Sequence, residues 1–169
     1  MLRFNGTENN TVVTDNGFPD LTIPFSISLW VNPAPQQDEY ADIFGNHGGQ
    51  FSGFVLQNGA RDSTAFGPGF GNGTQWQGCG PAELKPNTWQ HVTVVYDSEH
   101  TVLYVDGIEK ARGDSKGPFV PNRDLNFRLG QGFASARLFR GALSDVRVYT
   151  KALTPEEISA LAKPVDGKK

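Results

Sequence analysis

Two β-rich segments joined by the dipeptide Asp106-Gly107 constrain the fold of this 169-residue chain more than any other sequence feature. Residues 101–105 and 108–111 flank the dipeptide. Asp-Gly favours a tight hairpin turn because both central residues of that turn need positive φ. A third β-rich segment, residues 89–96, comes just before the hairpin. The sequence therefore predicts consecutive antiparallel strands in this region.

Further strand patterns recur about every ten residues, with turn residues between them. Residues 25–31 give the clearest pattern, because apolar side chains alternate there with a period of two. Short strands at such spacing favour an all-β sandwich of two antiparallel sheets. The remaining predicted strands span residues 2–4, 11–14, 42–45, 53–57, 125–129 and 142–149.

Two segments depart from this strand pattern. Residues 67–80 contain six glycines, so we expect a long loop or an irregular edge strand there rather than a core strand. Thr154, Pro155 and Glu157 match a capping box, with an N-cap threonine and proline at the first helical position. They predict a short C-terminal helix over residues 154–162.

Composition and charge exclude several functional classes. The chain has 18 acidic and 15 basic side chains and a net charge of −3, which gives no basic field for nucleic acid. No segment approaches the roughly 20 apolar residues of a membrane-spanning helix. The single cysteine, Cys79, cannot form an internal disulfide. We expect one domain over residues 1–163 and a linker or tail over residues 164–169.

Several motifs follow one another along nearly the whole chain. They are LRFNGT at 2–7, FSISLWV at 25–31, GFVLQ at 53–57, WQHVTVVYD at 89–97, LYVDG at 103–107, FRGALSDVRVY at 139–149 and ALTPEEI at 152–158. This order resembles the laminin G-like, concanavalin A-like lectin/glucanase family, in the form found as bacterial accessory modules. The resemblance implies a jelly-roll sandwich of two antiparallel sheets, with the first and last strands adjacent and the helix outside.

The resemblance also sets functional expectations. It implies a non-catalytic carbohydrate-binding module of a secreted bacterial protein, extracellular or periplasmic, monomeric and cut from a larger multidomain chain. Its partner would be a polysaccharide or oligosaccharide. An adhesion or protein-interaction domain is the alternative. A glycoside hydrolase or polysaccharide lyase is disfavoured, because the Glu-x-Asp-x-x-Glu string of the related glucanases and the His, Tyr, Arg and Gln strings of the lyases are both missing.

Trp76 is the leading candidate for a ligand contact, because it lies in the glycine-rich segment outside the shared motifs. An exposed indole can stack on the C–H face of a sugar ring while amide groups bond the hydroxyls. Asn72 and Gln75 supply such amides beside it. The alternative is that Trp76 covers a strand end or a sheet edge.

Four further residues complete the predicted carbohydrate-binding site: Tyr40, His47, Arg61 and Arg137. We expect them on loops or strands near one rim of the sandwich. For His47, which lies in a glycine-flanked turn, a solvated side chain is the alternative. In contrast, Trp30 and Trp89 lie inside shared motifs and are predicted to pack in the interior.

Five arginines within 25 residues form a second candidate surface, which would take carboxylate or sulfate groups. The alternative is a solvated face with ordinary ion pairs. These arginines are Arg123, Arg128, Arg137, Arg140 and Arg147.

A structural calcium ion is the one cofactor that the resemblance raises. The resemblance would place the oxygen ligands of this ion near Asn5 and Ser144, at positions where carboxylates are more usual. Asp145 could supply the missing charge. The expectation is therefore no certain cofactor, with calcium left open.

Overall fold

A computed structural model describes residues 1–7, 11–14, 21–48, 51–132 and 137–164. Within these residues the chain forms short strands followed by one helix, α1 (Pro155–Leu161). The strands are β1 (Leu2–Asn5), β2 (Val12–Val13), β3 (Phe25–Pro33), β4 (Asp42–Gly45), β5 (Phe54–Asn58), β6 (Ala65–Gly71), β7 (Trp76–Gly78), β8 (Ala82–Glu83), β9 (Gln90–Tyr96), β10 (His100–Val105), β11 (Ile108–Asp114), β12 (Arg128–Leu129) and β13 (Arg140–Tyr149).

The strands form two antiparallel sheets, which confirms the predicted sandwich. The six-stranded sheet has the order β1-β13-β3-β9-β10-β11. The seven-stranded sheet has the order β2-β12-β4-β5-β6-β7, with β8 pairing the far end of β6. Leu2 lies opposite Leu143 in the β1–β13 pair, so the first and last strands are adjacent as expected.

The core between the sheets is built from aromatic and branched side chains. Phe25 stacks on Tyr96, with ring centroids 4.5 Å apart, and Phe54 lies 5.3 Å from Phe25. The Tyr96 hydroxyl donates to the carbonyl of Val55 at 3.2 Å, so a polar atom in the core has a partner. These contacts join the two sheets into a single packed unit.

The glycine-rich segment contains an interior strand, so the expectation of a loop or edge strand was wrong for β6. β6 lies between β5 and β7, and Phe66 and Phe70 are fully buried in the core. The segment does alternate with a period of two, but glycines occupy the outward positions and supply no side chains. The expectation of an edge strand in this segment holds for β7, which ends the strand order.

The C-terminal helix packs on the outer face of the six-stranded sheet. Ile158 and Leu153 form a second apolar cluster with Val95, Val102 and Tyr104 of that sheet. The expected capping box is present: the Thr154 hydroxyl accepts from the Glu157 amide, and the Glu157 side chain accepts from the Thr154 amide.

Neither Trp30 nor Trp89 packs in the interior as predicted, since Leu29 and Val31 point into the core and Trp30 lies on the opposite face of β3. Trp30 is half-buried on β3 and meets His91 edge to face, with centroids 5.4 Å apart. Trp89 is 37% exposed, so the prediction that it packs in the interior was wrong. Trp89 lies one position before the start of β9, outside the buried strand.

Candidate functional site

The candidate site lies on the outer face of the seven-stranded sheet. Phe54 and Leu56 of β5 point into the core, so Val55 and Gln57 point outward. Across the neighbouring strands, Val55 pairs with Gly45 on β4 and with Gly69 on β6. The centre of this face therefore carries little side-chain bulk, and larger groups from the edges can lie over it.

Trp76 and His47 are brought together over this glycine-lined centre. Trp76, on edge strand β7, is 38% exposed, and its Cε3 lies 3.7 Å from where a methyl group on Gly69 would be. The His47 imidazole meets the indole edge to face, with centroids 5.5 Å apart. The two residues are 29 positions apart in the sequence, and the β4–β5 and β6–β7 connections place them side by side.

His47 is buried and is held by a carboxylate that the sequence analysis did not assign to the site. Its Nε2 lies 2.6 Å from Oδ2 of Asp42, and the two side chains are 4% and 0% exposed. Burial raises the pKa of Asp42, while the hydrogen bond and charge of His47 and the charge of Arg137 oppose that shift. The pair fixes the imidazole ring, which in turn fixes one edge of the Trp76 indole.

Tyr40 and Arg137 form a second part of the same surface. The Arg137 guanidinium carbon lies 5.0 Å from the centroid of the Tyr40 ring, a cation–π contact. A methyl group on Gly132 would clash with Oδ2 of Asp42 and lie 3.1 Å from Cδ of Arg137. Arg137 and Asp42 are thus neighbours, and Tyr40 extends the site that begins at Trp76.

Tyr40 has an unusual backbone conformation. It is 40% exposed, with φ at 56°. Left-handed backbone is rare for a bulky residue, and such residues cluster at functional sites.

Two buried oxygens on this face have no hydrogen-bond partner among the described residues. They are Oδ1 of Asp42 and Oε1 of Gln57, whose Cα atoms are direct partners across β4 and β5. Unpaired buried acceptors are costly and rare in folded proteins. The part of the face that carries Asp42 and Gln57 is therefore unusually polar for a buried region.

Three predicted residues lie at the periphery. Asn72 holds the β6–β7 turn, because its Oδ1 accepts from the amides of Thr74 and Gln75 and its Nδ2 donates to the Lys116 carbonyl. Gln75 is exposed in that same turn, beside Trp76. Arg61 is exposed in the β5–β6 connection.

The five arginines do not form one patch. Arg140 pairs with Asp38 at 2.8 Å, and Arg147 pairs with Asp145 through two hydrogen bonds of 2.8 Å. These two follow the alternative of ordinary ion pairs. Arg128 and Arg137 instead lie around Gly132 at the candidate site.

The positions that the family resemblance suggested for calcium do not fit one ion. Asn5 lies opposite Arg140 on β13, four positions from Ser144 along that strand, which is about 13 Å at strand spacing. Both carboxylate oxygens of Asp145 are occupied by Arg147. No group of three His, Cys, Asp or Glu side chains suited to a metal occurs among the described residues.

The sequence analysis did not assign Asp42 and Gln57 to the site, and it placed Arg128 in the arginine cluster rather than beside Trp76. Asp42 and Gln57 were taken as strand residues, and a polar residue in a buried strand was the available signal. Cys79 is half-buried against the core, and burial raises its pKa to about 11, as expected for an unreactive thiol.

The family of the chain is established by its sequence. The model of the concanavalin A-like lectin/glucanase superfamily (laminin G type) matches residues 5–159, and the chain belongs to this family.

The chain is similar to several known proteins. It is 26% identical over 153 residues to adhesion G-protein coupled receptor V1 of Danio rerio, covering 85% of this chain and 2% of the receptor. Domain 4 of AbnA, an extracellular arabinanase from Geobacillus stearothermophilus solved with arabinotriose, superimposes with a TM-score of 0.70 at 21% identity, covering 90% of this chain and 72% of that one.

A third similar protein is the CBM40 of the Ruminococcus gnavus IT-sialidase, bound to α2,3-sialyllactose. It superimposes with a TM-score of 0.67 at 18% identity and covers 85% of each chain. At such identities the superpositions establish the shared fold. No helix among the described residues has the length and apolar character to cross a bilayer.

Proposed function

We propose that this chain is a non-catalytic carbohydrate-binding module and that its ligand lies on the outer face of the seven-stranded sheet. The observation that carries the proposal is the half-exposed Trp76 indole, fixed by His47 over a glycine-lined centre. A flat apolar ring flanked by polar groups suits the alternating C–H and hydroxyl faces of a sugar.

The proposed site extends from Trp76 to the Tyr40–Arg137 pair. Gln75 is exposed beside the indole and can bond hydroxyls. Asn72 contributes by shaping the β6–β7 turn, and Arg61 belongs to the proposed rim. The two structural neighbours named above, solved with arabinotriose and with sialyllactose, support a sugar ligand on this fold.

The proposal includes the absence of catalysis. Glycosidases require two carboxylates that flank the scissile bond. The carboxylate of this face, Asp42, is fully buried and faces a histidine. Its position suits the support of His47 better than contact with a sugar. As a module of this kind, the chain would act outside the cell, within a longer secreted protein.

Trp76→Ala tests the proposal by affinity electrophoresis in gels that contain a panel of polysaccharides. We expect retention of the wild-type chain by at least one polymer, with a dissociation constant of about 10 μM to 1 mM. Loss of the stacking ring should weaken binding at least about tenfold, or about 1.4 kcal/mol.

Trp89→Ala is the matched control, because Trp89 is 37% exposed and precedes a strand of the other sheet. It should bind as the wild type does. Equal binding by the wild type and Trp76→Ala would place the site elsewhere. Failure of the wild type to bind any glycan, together with capture of a protein partner, would favour the adhesion alternative.

A further inference from the structure

Beside His47, the candidate site continues into a small pocket with a positively charged wall. Its lining includes Gly45, Asn46, His47, Asn126, Arg128 and Gln131. No aspartate or glutamate is among the described residues that line it. The pocket is contiguous with the stacking surface, because His47 lines it and also contacts Trp76.

Arg128 is the charged group of this pocket. It lies opposite Gly45 on the outer face, since its strand neighbour Leu129 pairs with Phe44 and both of these point into the core. Gly45 therefore places no side chain beside Arg128 on this face. Arg128 therefore reaches the pocket from β12.

The hydrogen bonds of Arg128 are incomplete. Its Nη1 donates to the Gly132 carbonyl at 3.2 Å. Its Nε is buried and has no partner among the described residues, and none of their carboxylates forms a salt bridge with it. Among the five clustered arginines, Arg140 and Arg147 have carboxylate partners within the chain. Arg128 differs from these two in that no described carboxylate neutralises it.

We propose that Arg128 binds the carboxylate of an acidic sugar whose ring stacks on Trp76, an inference that rests on the proposed carbohydrate-binding function. A guanidinium presents paired N–H donors that match a carboxylate, and charge-assisted hydrogen bonds are stronger than neutral ones. The asparagine and glutamine side chains of the pocket add uncharged donors.

A glycan array tests this inference when each uronate- or sialate-containing glycan is printed beside its methyl ester and a neutral counterpart. The ester keeps the sugar and removes the charge. We expect the acid form to bind at least about tenfold more tightly than its ester, since a charge-assisted hydrogen bond is stronger than a neutral one. Binding should also weaken as salt increases.

Arg128→Gln should remove most of the preference for the acid form, and Arg128→Lys should retain part of it, because lysine keeps the charge without the paired donors. Melting temperatures of both variants establish that they are folded. Arg112→Gln is the control, because it removes the same charge from an exposed position on the other sheet.

The outcomes separate this inference from the proposed function. Equal binding of acid, ester and neutral glycans, lost in Trp76→Ala, would overturn the role of Arg128 and leave the sugar site intact. An acid preference unchanged in folded Arg128→Gln would also overturn it. Failure to bind any glycan would overturn both proposals.

Discussion

Glycine residues make room for the larger side chains of the candidate site. A methyl group on Gly45 would lie 3.0 Å from Cδ2 of His47, and one on Gly132 would clash with Asp42. A methyl group on Gly69 would be in ordinary contact with Trp76. The positions of His47 and Asp42 thus depend on residues that contribute no side chain of their own, whereas Gly69 leaves room for a methyl group beside Trp76.

His91 makes the stability of the fold depend on pH. Burial lowers its pKa from the ordinary value of 6.5 to about 4, against the opposing effect of Asp106 and Asp145. Between these two pH values the unfolded chain binds a proton that the folded chain does not. The free energy of unfolding should therefore fall as pH drops from 6.5 towards 4, by roughly 3 kcal/mol in all.

Urea denaturation of the wild type and His91→Gln at several pH values between 7 and 4 measures this effect. The other titrating groups act in both proteins, so the difference between the two curves reports on His91. We expect the wild type to lose more stability than the variant over this window. Parallel curves would contradict a depressed pKa for His91.

At the scale of secondary structure elements, local signals were sufficient for turns and the helix. The Asp106-Gly107 turn has positive φ at both residues, 51° and 78°, as the dipeptide predicted. The capping box of α1 could also be predicted from the local sequence, because its hydrogen bonds join residues three positions apart. β6 could not be predicted from its sequence, because glycine is compatible with both turns and strands. Pairing with the neighbouring strands determines which of the two forms.

Removal of the Thr154 hydroxyl should cost about 1 kcal/mol of unfolding free energy, as for other N-cap threonines. The loss should lower the unfolding free energy of the whole domain, because α1 buries Ile158 against the six-stranded sheet. Thr154→Ala measured by urea denaturation gives the value, and Thr154→Ser, which keeps the hydroxyl, is the control. Equal stability of the wild type and the alanine variant would mean that α1 is not coupled to the sandwich.

For the molecule as a whole, the shared motifs were enough to predict the sandwich and the pairing of its first and last strands. The candidate site could be predicted from the sequence only in part. Trp76, His47, Tyr40 and Arg137 do come together, but the contact between Asp42 and His47 depends on how the chain folds back over β4 after Gly45. Long-range contacts of this kind leave no local pattern in the sequence.

The central claim is that the outer face of the seven-stranded sheet binds carbohydrate. Amide chemical-shift mapping by NMR tests it most directly, with a glycan that the array identifies as bound. We expect the largest shifts at the Trp76 indole N–H and at the amides of Gly45, Val55 and Gly69, with the Trp89 indole unaffected. Shifts confined to the outer face of the six-stranded sheet, with Trp76 unchanged, would contradict the claim.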